Sequence, residues 1–170
     1  MLSEKIRIAG TVNDSIVDGP GIRFAIFTQG CPHHCEGCHN PQTHDFDAGE
    51  LVTLECLLDK VKNNPLLDGV TYSGGEPFCQ AKQFYLLGTE VKKLKMSIVT
   101  YTGYTYEYLI EHANAETYYN ELLSVTDYLI DGQFVLAERD ILLKFKGSSN
   151  QRIINVKKSL VEKKVIEAEL

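Results

Sequence analysis

The chain has 170 residues, of which 44% are hydrophobic and 24% charged, figures that suit one soluble globular domain around a single core. Its 17 basic and 23 acidic residues leave a net charge of −6, which argues against a broad nucleic-acid footprint. Charge in Met1-Leu2-Ser3-Glu4-Lys5, where a signal peptide needs apolar residues, and the lack of any run near the roughly 18 apolar residues of a membrane span predict a cytoplasmic protein.

Ile6, Ile8 and Val12 predict a short alternating strand at a sheet edge. Asp18-Gly19-Pro20-Gly21 is a turn signal. Ile22 to Thr28 reads as a strand buried on both faces, with Ile22, Phe24 and Ile26 on one side and Ala25 and Phe27 on the other. The segment Cys31-Pro32-His33-His34-Cys35-Glu36-Gly37-Cys38 follows directly, so it hangs from that strand's C-terminal end, and His39-Asn40-Pro41 closes it.

Thr53 caps a predicted helix with Leu54, Leu57, Leu58 and Val61 at i, i+3, i+4 and i+7. Cys56 is expected there as a small core residue, and Asn63-Asn64-Pro65 ends the helix. A strand from Val70 to Ser73 leads into Gly74-Gly75-Glu76-Pro77. A second helix is predicted from Gln80 to Leu94, with Phe84, Leu87, Val91 and Leu94 inward. Gly88 weakens it by about 1 kcal/mol against alanine.

Met96 to Tyr101 is the next strand, ended by Thr102-Gly103. One or two helices fill Tyr106 to Val125, and Tyr128 to Ile130 is a strand ending at Asp131-Gly132. Between Gln133 and Gln151 the periodicity is poor, and Ile141 to Phe145 reads as a strand or a helix end. Arg152 to Val156 is the last strand, and the tail from Lys157 to Leu170 receives no assignment.

Strands alternating with helices imply a parallel sheet with right-handed crossovers. A closed eight-fold barrel needs about 250 residues, so the expected fold is α/β: an incomplete, TIM-like barrel or open sheet, in one domain spanning 1–170. Functional loops then follow the carboxyl ends of strands. The cysteine segment, Gly74-Gly75-Glu76-Pro77, Thr102-Gly103 and Asp131-Gly132 all fall at such ends.

In a cytosolic chain, clustered cysteines bind metal or catalyse rather than pair. Thiolate is a soft ligand that selects zinc, copper(I) or an iron–sulfur cluster. A structural zinc site would join Cys31, Cys35 and Cys38 to His33, His34 or His39, but eight residues are a tight span for it. A ferredoxin-type run has other spacing and a fourth cysteine. A four-iron cluster on three thiolates would leave one iron open, as catalytic sites do.

The pattern C-x₃-C-x₂-C after the first core strand resembles the signature of the radical S-adenosylmethionine enzymes. That resemblance implies a [4Fe–4S] cluster on Cys31, Cys35 and Cys38, with S-adenosylmethionine on the open iron. It further implies reductive cleavage of that cofactor and hydrogen abstraction by a 5′-deoxyadenosyl radical. Gly74-Gly75-Glu76-Pro77 resembles the second family motif, whose backbone and acidic side chain hold the methionine amino group. Cys35-Glu36-Gly37-Cys38-His39-Asn40 is similar to one branch, the activating enzymes of anaerobic (class III) ribonucleotide reductase. Tyr101-Thr102-Gly103-Tyr104-Thr105, Asp131-Gly132-Gln133-Phe134 and Gly147-Ser148-Ser149-Asn150-Gln151-Arg152 resemble that branch too. Asp18-Gly19-Pro20-Gly21-Ile22-Arg23 is shared more widely among glycyl-radical activases.

The implied cofactor-binding set is Gly37, Cys38, His39, Gly74, Gly75, Glu76, Pro77 and Thr102. Gly37 and His39 would lie against adenine, with His39 equally readable as a loop histidine satisfied by backbone, and Thr102 would bond a ribose hydroxyl or a carboxylate or simply form a turn; Asp131 is weighed alike. Asn150 and Arg152 are set against adenine or the partner. His33 and His34 are expected in solvent, with a supporting role beside the cluster sulfurs as the alternative, and Cys79 in the core, though it follows the turn closely enough to approach the site. The implied partners are the large reductase subunit and a flavodoxin- or ferredoxin-type electron donor. A radical enzyme acting on a metabolite or peptide, and a zinc-stabilised binding module, stay as alternatives.

Overall fold

The computed structural model describes residues 1–170 as one seven-stranded sheet flanked by five helices. The strands are β1 (Lys5–Ser15), β2 (Arg23–Thr28), β3 (Glu50–Thr53), β4 (Gly69–Gly74), β5 (Ser97–Tyr101), β6 (Tyr128–Asp131) and β7 (Arg152–Asn155). Their order is β3-β1-β2-β4-β5-β6-β7. The central four, β2, β4, β5 and β6, run parallel, while β1, β3 and β7 pair antiparallel at the flanks. The end strands β3 and β7 do not meet, so the barrel is left open.

The helices are α1 (Leu54–Lys62), α2 (Ala81–Lys93), α3 (Tyr106–Glu111), α4 (Tyr119–Val125) and α5 (Val156–Glu162). Helix α1 begins where Thr53 accepts a bond from Cys56 N, and it buries Leu54, Leu57, Leu58 and Val61. Each such side chain contributes about 1.5–3 kcal/mol on leaving water. They meet Phe24, Ile26, Val70, Tyr72, Ile98, Leu129 and Ile154 from one face of the sheet. Gly88 is buried in α2, and a Cβ there would meet Val125 of α4 at 2.7 Å. Its propensity cost is therefore offset by a close helix–helix approach.

The other face is thinly covered. Val99, Ile130 and Ile153 form a small cluster there with Tyr101, Tyr128, Phe145, Ala168 and Leu170 packed against it. Near its foot lies Arg23, fully buried. Its guanidinium donates to Thr71 Oγ1 (2.8 Å), Pro20 O (3.0 Å), Ser97 Oγ (2.9 Å), Val70 O (2.9 Å) and Ser97 O (2.8 Å).

Several expectations are corrected. Strand β1 is no edge, because the four-residue β3 pairs with its outer side; so short a strand leaves little periodicity to read. Cys56 is exposed, since it sits two residues from Leu54 and so nearly opposite the apolar stripe. Leu94 caps α2 and is 37% exposed rather than inward. Ile141 to Phe145 is neither strand nor helix, and Ile141 and Leu142 are 83% and 88% exposed. The tail that had no assignment forms α5, then turns back so that Glu167 bridges Ile154 and Ala168 N bonds Ile153 O at 2.8 Å.

Candidate active site

Strand β2 delivers the chain to Gly30 and Cys31, and backbone bonds tie both ends of the cysteine loop. Gly30 N donates to Thr43 O (2.7 Å) and Cys31 N to His44 O (3.2 Å). The side-chain amide of Gln29 donates to Gln42 O and Asp45 O. Pro41 opens the single turn Pro41–Thr43 that ends the loop. The loop after β4 is stitched to it, with Gly75 N on Thr28 O (2.9 Å) and Glu76 N on Gly30 O (2.8 Å). A Cβ on Gly75 would collide with the Gly30 carbonyl, so the second glycine is needed for loop to approach loop.

Cys31, Cys35 and Cys38 line one cavity of ≈ 380 Å³ together with His33, His39, Ser73, Gly74, Gly75, Thr102 and Gly103. Asp18, Tyr101, Gly132 and Phe134 also reach it. The elements converge because β2, β4, β5 and β6 are parallel neighbours, so their C-terminal loops share one rim. Burial pushes the Cys31 and Cys35 thiols up, partly offset by backbone bonds. Both are thus thiols in the metal-free chain, and taking up metal displaces protons.

Three free thiols facing one cavity are a donor set that fits a four-iron cube with one corner unclaimed. Cys79 is exposed, against the expectation of burial, and does not line the cavity.

The remaining expected residues divide. Cys38, His39, Gly74, Gly75 and Thr102 line the cavity; Gly37, Glu76 and Pro77 do not. His39 faces it across the rim from Phe134, with ring centroids 5.2 Å apart. Gly37 is exposed at φ +73 and packs toward Leu136 and Phe134. Glu76 is fully buried behind the wall and Pro77 starts the short turn Pro77–Gln80. Asp131 lies away from the cavity, accepting from Tyr106 N (2.8 Å) and from Arg152 Nε and Nη2 (3.0 and 2.6 Å). Arg152 also grips Glu107, so this trio locks β6 and β7 to α3. Asn150 Nδ2 bonds Gln133 O.

His33 also departs from the expectation that it is solvated. Its side chain is 7% exposed, not solvated, and bonds Glu76 at 2.7 Å. Its ring stands edge-on to Tyr104, 4.6 Å between centroids. His34 is exposed as expected, although its ring meets His44 at 5.0 Å. Phe134 and Ser73 were also missed as cavity residues. Phe134 sat inside a noted motif, but nothing in its spacing said which way it would face.

Residues 17–154 match the family described as a 4Fe-4S single cluster domain. The chain is 33% identical over 147 residues to the anaerobic ribonucleoside-triphosphate reductase-activating protein of Pasteurella multocida, covering 81% of this chain and 90% of that one. The protein of the same description from Vibrio cholerae gives the same identity and coverage. The pyruvate formate-lyase-activating enzyme of Clostridium pasteurianum is 44% identical over 79 residues, 44% of this chain and 33% of its own. With three thiols on one cavity at the C-terminal rim of a parallel sheet, and likeness along most of its length, this chain belongs to the family of anaerobic ribonucleoside-triphosphate reductase-activating proteins.

Proposed function

We propose that this chain, as a single radical S-adenosylmethionine domain, activates an anaerobic ribonucleotide reductase by generating a glycyl radical in its large subunit. The observation that carries the reading is the convergence of Cys31, Cys35 and Cys38 with the glycines after β4 on one cavity. Cys31, Cys35 and Cys38 would hold a [4Fe–4S] cluster and leave one iron to S-adenosylmethionine. When bound, these two groups supply a one-electron cleavage that yields a 5′-deoxyadenosyl radical able to take a hydrogen atom from glycine.

The chain's own residues shape where that happens. Gly74 and Gly75 give the cavity a wall of bare backbone, open to a polar ligand. His39 and Phe134 offer aromatic faces at the rim for an adenine. A partner's loop entering over the rim of the cavity would complete the exclusion of water. A flavodoxin- or ferredoxin-type protein in the cytoplasm would be the electron donor.

Anaerobic incubation of the iron-loaded chain with the large reductase subunit, S-adenosylmethionine and a reductant should give a glycyl-radical EPR doublet on the reductase, and Cys38→Ser should abolish it. Silence from the loaded chain would sink the proposal. Rapid cofactor cleavage with a small molecule and none with the reductase would favour the metabolite or peptide alternative.

A further inference from the structure

Glu76 has no exposed surface, yet its carboxylate is completely engaged. Thr102 Oγ1 lies 2.9 Å from both oxygens. Gly103 N donates to Oε1 at 2.8 Å, Phe78 N to Oε2 at 3.0 Å, and His33 Nε2 sits 2.7 Å from Oε1. An ionised carboxylate offers about four lone-pair sites, and four protein donors fill them. Phe78 belongs to the turn after β4, Thr102 and Gly103 follow β5, and His33 lies between Cys31 and Cys35. One anion therefore ties together loops from three parallel strands.

The carboxylate fixes the direction of the histidine bond. Gln133 Nε2, from the loop after β6, lies 3.3 Å from His33 Nδ1. The Glu76 carboxylate accepts, so Nε2 is the donor of the 2.7 Å bond, with Gln133 beside the other ring nitrogen. Gly103 leaves room for this ring, since a Cβ there would run into it.

We propose that Glu76 is a positioning residue that holds the cysteine loop through His33, and not the direct acceptor of a bound cofactor's ammonium group. The identity of the ligand rests on the function proposed above; the His33–Glu76 link is a property of the metal-free chain and is testable without any activity.

The test uses three substitutions. His33→Phe keeps a ring and loses the donor, His33→Gln returns a donor near the place of Nε2, and Glu76→Gln sets an amide among donors. Amide hydrogen exchange of residues 31–40 in the metal-free chain should quicken roughly tenfold in His33→Phe and Glu76→Gln. It should return toward wild type in His33→Gln. The double variant His33→Phe/Glu76→Gln should exchange no faster than the faster single variant, because both break one link. Unchanged amides in β2 and β4 control for misfolding.

In the iron-loaded protein, His33→Phe and Glu76→Gln should weaken S-adenosylmethionine binding to similar degrees in equilibrium dialysis. Wild-type exchange in His33→Phe, or effects that multiply in the double variant, would overturn the proposal. So would weakened cofactor binding in Glu76→Gln alone. If the chain activates some other partner, the exchange result still stands, so the two ideas fail separately.

Discussion

Two buried charges lie at opposite ends of the central strands, and neither has an oppositely charged lysine, arginine or carboxylate bonded to it. At the foot, Arg23 spends all five N–H groups on carbonyls and hydroxyls of β4, β5 and the turn before β2. At the rim, Glu76 collects four donors from loops. Both ions are satisfied by dipoles. What differs is where the dipoles sit: Arg23 is bolted mainly into strands, Glu76 into loops. In this architecture the foot carries stability and the rim carries chemistry. The buried charge at the foot is costly, and burial draws Arg23 down to about 10, with Asp127 and Asp68 pulling the other way. It stays protonated at neutral pH.

The largest effect should come from the foot. Arg23→Ala removes a large buried side chain and strands several acceptors, and should cost about 3–5 kcal/mol of unfolding free energy in urea titrations. A loss below about 1 kcal/mol would mean that desolvation cancels the bonds, and the contrast between the two ends would collapse. At the rim, Thr102→Val keeps the side-chain shape but takes one donor from Glu76 and one acceptor from Tyr104 N. It should cost about 1–2 kcal/mol by the same titration. A cost equal to that of Arg23→Ala would place the rim on a par with the foot.

The smallest effect lies outside both. Arg152 holds the Glu107 carboxyl below its ordinary value of 4.5. A carboxyl with a lowered pKa contributes stability above its unfolded pKa and loses it as pH falls through the folded one. The Glu107 side chain is 62% exposed, so Glu107→Gln should cost at most about 0.5 kcal/mol at pH 7. Thermal melts against pH should show that difference shrinking as pH falls below 4.5.

The foot and the rim were not equally legible in the sequence. Helix α1 could be read to its cap, because Thr53 and the stripe of Leu54, Leu57, Leu58 and Val61 are local signals. The parallel core followed from alternation of strands and helices. The Gly-Gly-Glu-Pro turn could be placed at a strand end, but the direction of the Glu76 carboxylate could not. That direction depends on Thr102, Gly103 and His33, which are 26, 27 and 43 residues away along the chain. The same holds for Arg23, whose partners at Thr71 and Ser97 are 48 and 74 residues distant. Pattern within one segment shows which face is apolar; it is silent on which segments a polar side chain will join.

The tail that folds back along β7 has a bearing on how this molecule can be handled. Ala168 N on Ile153 O and the Glu167–Ile154 bridge occupy the outer side of that strand, so its free hydrogen-bonding groups are partly capped against recruitment of a neighbouring chain. Leu170 packs beside Val99 and Ile130, which puts that residue at the thinly covered sheet face. An affinity tag fused there would crowd that face and loosen the cap at once, whereas one on the exposed Met1 would trail from the opposite flank.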